Sequence, residues 1–135
     1  MSDTLHLDVN GFCFACGPDN PIGLKLEFHF DGEDYVTSFE IKPEYQGWRD
    51  LAHGGLLATV LDEVMTRIMW AKGINTVTGR LEVRYRHPAP VGSVLEVRGR
   101  ITRQRPPLVE TEAVATLPDG TVVAEAKSSS LEVKA

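Results

Sequence analysis

The central segment of the chain reads His53-Gly54-Gly55-Leu56-Leu57-Ala58-Thr59-Val60-Leu61-Asp62-Glu63. Its apolar spacing predicts a helix that begins near Gly54 or Gly55 and runs to about Lys72, where Gly73 ends it. Free backbone N–H groups at such a helix start can hold a developing oxyanion. Asp62 follows at the edge of the apolar stripe, where a carboxylate can act as a base or a nucleophile. The segment therefore combines two requirements of acyl-transfer chemistry.

The composition predicts one ordinary domain over residues 1–135. The chain is 42% hydrophobic, which is enough apolar material for a core without disulfides or metal. Its formal net charge of −5 argues against nucleic acid or an anionic membrane as a partner. No run approaches the roughly 18 apolar residues of a membrane span. The acidic start, Met1-Ser2-Asp3-Thr4, lacks the pattern of a signal peptide, so a cytoplasmic location is expected.

Alternating apolar and polar residues predict six strands around the helix. Residues 1–23, rich in glycine, proline and asparagine, are expected to form an N-terminal arm or loop. The predicted strands are Leu24–Phe30 and Tyr35–Ile41 before the helix, then Thr76–His87, Val94–Arg105, Leu108–Leu117 and Thr121–Lys134. The helix is apolar over more than half of its circumference and needs cover from a sheet that curls around it. This α+β arrangement, one long helix wrapped by a curved and mostly antiparallel sheet, is the hotdog fold.

The two adjacent acids of the helix have different predicted roles. Glu63 precedes Arg67 by four residues, which favours a solvated surface ion pair. Asp62 lies at the apolar edge, where partial desolvation raises the pKa of a carboxylate; the alternative is an acid that pairs across a dimer seam. Asp62 is also about 12 Å along the helix axis from Gly54. If both groups act on one carbonyl carbon, they must come from two copies of the chain, which predicts an isologous dimer with two sites.

The two cysteines, Cys13 and Cys16, lie in the N-terminal arm. No second Cys-x-x-Cys follows, so the chain does not show the pattern of a four-ligand zinc site, and no metal is predicted. A reduced, partly buried pair is the favoured interpretation. A redox dithiol, or a metal shared between subunits with His6 or His29, remains an alternative.

Three groups of residues together are similar to a known family. They are His53-Gly54-Gly55 with Asp62, the strand Thr76–Pro88 that contains Tyr85-x-x-Pro88, and the opening Cys13-Phe14-x-Cys16-Gly17 with Asn20-Pro21-x-Gly23-Leu24. Over nearly the whole chain this combination resembles the hotdog-fold acyl-CoA thioesterases of the phenylacetic-acid degradation (PaaI-like) subgroup. The resemblance implies hydrolysis of a CoA thioester to free acid and CoA without a cofactor.

The resemblance also implies roles for individual residues. The Gly54 N–H, at a helix start shared with Gly55, would polarise the thioester carbonyl. Asp62 would activate water or attack directly to give an anhydride, and Thr78 would hold the water or the aspartate. His53 would shape the loop through a hydrogen bond rather than act as a base.

The chain departs from the family at one position. Related enzymes often carry an amide side chain six residues before the histidine, where this chain has Gly47. Either the neighbouring Gln46 supplies the amide from a shifted loop, or that role is absent. The departure concerns how the attacking water is positioned, not the fold.

The sequence gives weaker indications of which residues bind the CoA and acyl parts of the substrate. Arg103 and Arg105 precede a turn and are the preferred candidates for contacts to the CoA phosphates. Strand arginines at 84, 86, 98 and 100 could do the same or pair with acids such as Glu82 and Glu96. The acyl pocket, for an aromatic or an aliphatic group, is expected to draw on helix and loop residues: Trp48, Leu57, Leu61, Met65 and Met69.

Two other functions fit the predicted fold. One is a non-catalytic module that binds an acyl ligand, in which Asp62 is only an interface residue. The other is a hydratase or dehydratase, which is disfavoured because no second acid/base histidine lies near the helix. The expected assembly is a homodimer, and whether dimers pair further into a homotetramer stays open.

Overall fold

A computed structural model describes residues 7–133 of the chain, in which one helix packs against one sheet. The elements in chain order are β1 (Phe28–Asp31), β2 (Asp34–Glu40), a short 3₁₀ turn (Pro43–Tyr45), α1 (Gly54–Ala71), β3 (Thr76–Tyr85), β4 (Val94–Arg105), β5 (Leu108–Thr116) and β6 (Val122–Glu132). The six strands follow the order β1-β2-β4-β5-β6-β3, and every neighbouring pair is antiparallel. The predicted hotdog fold is confirmed.

Helix α1 has the predicted start and stop. His53 is its N-cap, and the chain leaves the helix after Ala71, where Gly73 adopts φ +79°, a conformation that glycine takes without strain. The buried helix residues recur at a spacing of three and four and so form one stripe: Leu57, Val60, Leu61, Val64, Met65, Ile68 and Met69. Within residues 7–133, no helix has the length and apolar character needed to cross a membrane.

Small residues on the sheet let the helix approach closely. A Cβ atom built on Gly99 of β4 would lie 3.1 Å from Cγ1 of Val64, so a larger residue there would require the Val64 side chain to shift. The strands beyond β4 present buried alanines to the helix at positions 113, 115, 124 and 126. This close packing buries the apolar stripe of α1, at about 1.5–3 kcal/mol for each large side chain.

The first strand is shorter than the sequence pattern predicts. It begins at Phe28 rather than Leu24, because Lys25 takes a left-handed φ of 54° that interrupts extended backbone. The N–H groups of Leu24 and Leu26 instead donate to the carbonyls of Phe14 and Ala15, at 2.8 and 2.9 Å. The N-terminal arm is therefore tied to the chain that leads into β1.

The remaining strands lie where they were predicted, and no end differs by more than two residues. Strand β3 forms one edge of the sheet, and in the described part of the chain it pairs only with β6. It is ten residues long, whereas β1 at the opposite edge has four. A long exposed edge strand is a template for pairing with another chain.

Candidate active site

The start of helix α1 leaves one backbone donor free. Nδ1 of His53 accepts a hydrogen bond from the Gly55 N–H at 2.9 Å, so this nitrogen carries no proton. The N–H groups of Leu56 and Leu57 donate to the His53 carbonyl at 3.1 and 3.2 Å. Between residues 7 and 133 the Gly54 N–H has no hydrogen-bond partner. Of the two glycines proposed for this site, Gly54 is the one whose donor is available, and His53 acts as the cap.

A cavity of about 640 Å³ surrounds this helix start. It is lined by Gln46, Gly47, Trp48, Ala52, His53, Gly54, Gly55 and Tyr85. The side chain of Trp48 is 85% exposed and forms an open wall of the cavity. Oε1 of Gln46 accepts from the Asp50 N–H at 2.9 Å, so the amide oxygen of Gln46 stabilises its own loop.

Tyr85 is a site residue that sequence reasoning did not single out. Its hydroxyl donates to the Gly54 carbonyl at 2.7 Å, and its ring lies 3.4 Å from where a Cβ on Gly54 would stand. This contact anchors the first turn of the helix to β3. The Tyr85-x-x-Pro88 pattern was the available signal, although it pointed to the family rather than to this contact.

Asp62 lies half-buried further along the helix. The Thr78 hydroxyl of β3 lies 3.5 Å from its Oδ1 and is placed to donate to it. Burial raises the pKa of Asp62 above the usual aspartate range, and the hydrogen bond from Thr78 opposes this effect. A carboxylate with a raised pKa is a stronger base, so Asp62 is suited to accept a proton from water.

Asp62 does not line the cavity at the helix start. The eight residues between Gly54 and Asp62 span about 12 Å of helix. Both groups nevertheless contact the same edge strand, since Gly54 meets Tyr85 and Asp62 meets Thr78. The two groups thus lie near opposite ends of β3 in one chain.

Four predicted lining residues of the acyl pocket belong to the core instead. Leu61, Met65 and Met69 have no exposed surface, and Leu57 retains 5%. They lie on the face of α1 that the sheet covers, and they line none of the described cavities. Their contact with substrate stays a prediction that this burial does not support, whereas Trp48 lines the same cavity as Gly54.

The strand arginines are divided between paired and unpaired side chains. Arg98 bonds to Asp31, Asp34 and Glu96, and Arg100 also reaches Asp34. Arg86 pairs with Glu125, and Arg84 with Glu82 at 3.9 Å. Arg103 and Arg105 are exposed, and among the residues described here they take part in no ion pair. Their charges therefore remain available to a ligand.

The predicted surface ion pair of Glu63 with Arg67 is wrong. The Glu63 carboxylate oxygens lie 3.8 and 3.9 Å from Sγ of Cys13, beneath the N-terminal arm, while Arg67 packs over the Trp70 ring at 4.5 Å. Burial raises the pKa of Glu63, and the nearby Cys16 thiol and the charge of Arg67 lower it by less. Burial and the nearby Glu63 also raise the pKa of Cys16. Both cysteines are free and partly buried, as expected.

Comparison with known proteins identifies the family. Residues 50–124, more than half of the chain, match the family model described as Thioesterase superfamily. The chain belongs to the thioesterase superfamily. The matched residues of this superfamily member include the helix start, Asp62, Thr78 and Tyr85.

A curated relative and two solved structures are similar to this superfamily member. Acyl-coenzyme A thioesterase THEM5 of Mus musculus is 31% identical over 67 residues, which are 50% of this chain but only 27% of that protein. The Escherichia coli PaaI protein, from the phenylacetic acid degradation operon, covers 82% of this chain and 81% of its own, with a TM-score of 0.77 and 15% identity. A hypothetical thioesterase from Streptococcus pneumoniae, solved with coenzyme A, covers 79% and 87%, with a TM-score of 0.74 and 19% identity. The two structures show the shared fold.

Proposed function

We propose that this protein hydrolyses an acyl-CoA thioester to the free acid and CoA. The observation that carries the proposal is the pair of half-sites on β3, a basic carboxylate at Thr78 and a free backbone donor at Tyr85. The superfamily match supports thioester chemistry. The name of the mouse relative and the coenzyme A of the streptococcal structure support CoA as the carrier.

The two half-sites come together in a homodimer built on the β3 edges. An isologous pair of antiparallel strands reverses the order of residues across the two-fold axis. With that axis midway between Thr78 and Tyr85, Thr78 of one protomer stands beside Tyr85 of the other. Asp62 of one chain then faces the Gly54 N–H of its partner, and the dimer holds two equivalent sites.

Hydrolysis in such a site proceeds in two steps. Asp62 takes a proton from water as the water oxygen attacks the thioester carbonyl carbon, and the Gly54 N–H donates to the oxyanion that forms. The tetrahedral intermediate then collapses and breaks the carbon–sulfur bond, and Asp62 returns the proton to the CoA thiolate. The Thr78 hydroxyl holds the carboxylate in place during both proton transfers.

The rest of the substrate contacts groups around this centre. Trp48 covers the acyl group beside the helix start, because it is exposed and lines the same cavity as Gly54. Arg103 and Arg105 bind the CoA phosphates, because their side chains are exposed and their charges are unpaired among the described residues. His53 stays in its capping position, since its Nδ1 is already an acceptor.

The first test measures release of free CoA from a panel of aromatic and aliphatic acyl-CoA thioesters. We expect turnover of at least one class, and the ranking identifies the acyl group. If the protein binds acyl-CoA but does not hydrolyse it, the proposed enzymatic activity is refuted. That result would favour a non-catalytic module that binds an acyl ligand.

The second test asks whether one site uses two chains. Asp62→Asn and Gly54→Pro variants are each expected to be inactive as homodimers. When they are co-expressed and mixed at random, half of the dimers are hybrids with one intact site, so activity returns to about a quarter of the wild-type value. Each hybrid is checked by two affinity tags. If tagged hybrids form and stay inactive, the half-sites do not combine across the dimer.

A further inference from the structure

Three side chains of metal-ligand type meet away from the proposed catalytic groups. The two thiol sulfurs of Cys13 and Cys16 and a carboxylate oxygen of Glu63 all lie within 4.8 Å of one another. Sγ of Cys13 is 3.8 and 3.9 Å from the two oxygens of Glu63. His29, which the sequence offered as a ligand, is not part of this group, and His6 lies outside the described residues.

These separations are close to those of a tetrahedral zinc site. Zinc–sulfur bonds of about 2.3 Å and zinc–oxygen bonds of about 2.0–2.2 Å place a sulfur and an oxygen ligand about 3.5–3.7 Å apart. Small side-chain rotations of Cys13 and Glu63 would close the remaining gap. Because three partly buried groups already converge, little backbone rearrangement is needed to bind an ion.

The loop that carries the cysteines is held in shape by its own backbone. The Gly17 N–H donates to the Cys13 carbonyl at 2.8 Å, and the Asp19 N–H donates to the Gly11 carbonyl at 2.9 Å. A Cβ on Gly17 would lie 2.4 Å from both the Cys13 nitrogen and the Gly11 oxygen, so only glycine fits there. The tight turn Cys13-Phe14-Ala15-Cys16-Gly17 therefore fixes the two sulfurs on the side that faces Glu63.

The surroundings leave room for a fourth ligand. The three groups line a cavity of about 480 Å³ between the N-terminal arm and α1, which also includes Thr66 and Trp70. Arg67 lines the same cavity but stacks on Trp70 instead of neutralising Glu63 within ion-pair distance. A water molecule from this cavity can complete a four-ligand shell.

We propose that Cys13, Cys16 and Glu63 bind one Zn²⁺ per chain, with solvent in the fourth position. Zinc is favoured because two thiolates and one carboxylate suit a borderline-soft cation, whereas Mg²⁺ and Ca²⁺ require oxygen ligands. Binding releases the thiol protons of both cysteines to solvent. The ion joins the N-terminal arm to helix α1 one residue away from Asp62, and it takes no part in the hydrolysis.

The test uses the untagged chain of residues 1–135, stripped with a chelator, reloaded with Zn²⁺ and desalted. We expect about one zinc per chain by elemental analysis, and Co²⁺ in its place should give the near-ultraviolet absorption of thiolate coordination. Cys13→Ser and Cys16→Ser should lose the ion. Glu63→Gln should weaken zinc binding by about tenfold or more. Asp62→Asn is the matched control, because it neutralises the next residue of the helix and should keep full occupancy.

Zinc should also raise the melting temperature of the wild type, and raise it less in Glu63→Gln, because an ion that binds only the folded state stabilises it. The proposal is overturned if the wild type holds no zinc after loading, or if Co²⁺ binds without the thiolate absorption. Equal zinc affinity in Glu63→Gln and Asp62→Asn would also overturn it. Circular dichroism verifies that each variant is folded, and the wild-type cobalt spectrum decides the question even if the cysteine variants do not fold.

Discussion

The two flanks of helix α1 carry neighbouring acids in contrasting surroundings. Asp62 and Glu63 are consecutive, both are partly buried, and burial raises the pKa of each. Asp62 faces a hydroxyl on the open edge strand β3. Glu63 faces two thiols beneath the N-terminal arm of its own chain.

Because the pKa is raised in both acids, that shift alone does not distinguish the candidate catalytic acid. The two acids differ in whether a second chain can reach them. The flank with Asp62 ends at a sheet edge, where the strand of a second chain can pair with β3. The flank with Glu63 lines a cavity whose other walls include residues of the N-terminal arm of the same chain. The first flank is suited to a shared catalytic site, and the second to a ligand held by one protomer.

The largest expected effect is the difference in kcat between variants that neutralise Asp62 and Glu63 separately. Asp62→Asn should lower kcat by about 10²–10⁴, because it removes the base that takes the proton from water. Glu63→Gln makes the same chemical change one residue later and should lower kcat far less. Steady-state hydrolysis of one acyl-CoA by both variants checks this. Equal losses in the two variants would show that burial of a charge, rather than its position, controls activity.

Thermal unfolding adds an independent check on Asp62. The pKa of Asp62 in the folded state lies above its unfolded value, so the folded protein favours the neutral acid. At neutral pH the ionised carboxylate therefore lowers the free energy of unfolding. This destabilisation disappears as the pH falls toward about 4, because the carboxyl becomes protonated in both states. At equal protein concentration and pH 7, Asp62→Asn should melt at or above the wild-type temperature, and the difference should shrink in acid.

Removing the backbone donor at the helix start should have the next largest effect. Gly54→Pro deletes the N–H, and proline is tolerated at the first position of a helix. His53 already has the extended backbone, with ψ 126°, that a residue before proline prefers. We expect a loss of kcat of about 10²–10³. Gly54→Ala keeps the N–H and adds a Cβ at ordinary contact distance from Tyr85, so it should retain most activity; similar losses in both would indicate a steric effect.

The fold was largely predictable because its signals are local. The strand Val94–Arg105 has the predicted bounds, and the glycines that flank the helix mark its ends. The strand predicted from Leu24 fails because its first residues bond to Phe14 and Ala15, about ten positions earlier. The alternation of apolar and polar residues along a segment predicts which side chains are buried. It does not predict which distant carbonyl accepts a hydrogen bond from a given backbone N–H.

The residues of the candidate site could be named from the sequence, but several of their contacts could not be predicted. Helical spacing placed Asp62 at the apolar edge and separated it from Gly54. The same helical spacing suggested a surface role for Glu63. Helical spacing contains no information about the N-terminal arm, which folds back over the helix and brings Cys13 to Glu63. Leu61 and Met65 were assigned to a pocket for the same reason, since an apolar helix face looks alike whether a sheet or a substrate covers it.

The smallest expected effect concerns the hydroxyl that holds Asp62. The Thr78 hydrogen bond lowers the pKa of Asp62 against the effect of burial, so Thr78→Val should raise that pKa further. Because the ionised carboxylate is the active form, the acid limb of the kcat/KM profile should move to higher pH, by less than about one unit. Thr78→Ser retains the hydroxyl and should leave the limb near its wild-type position. A limb that stays in place in Thr78→Val would mean that another group sets the acid limit, and the base would have to be sought outside the Asp62 half-site.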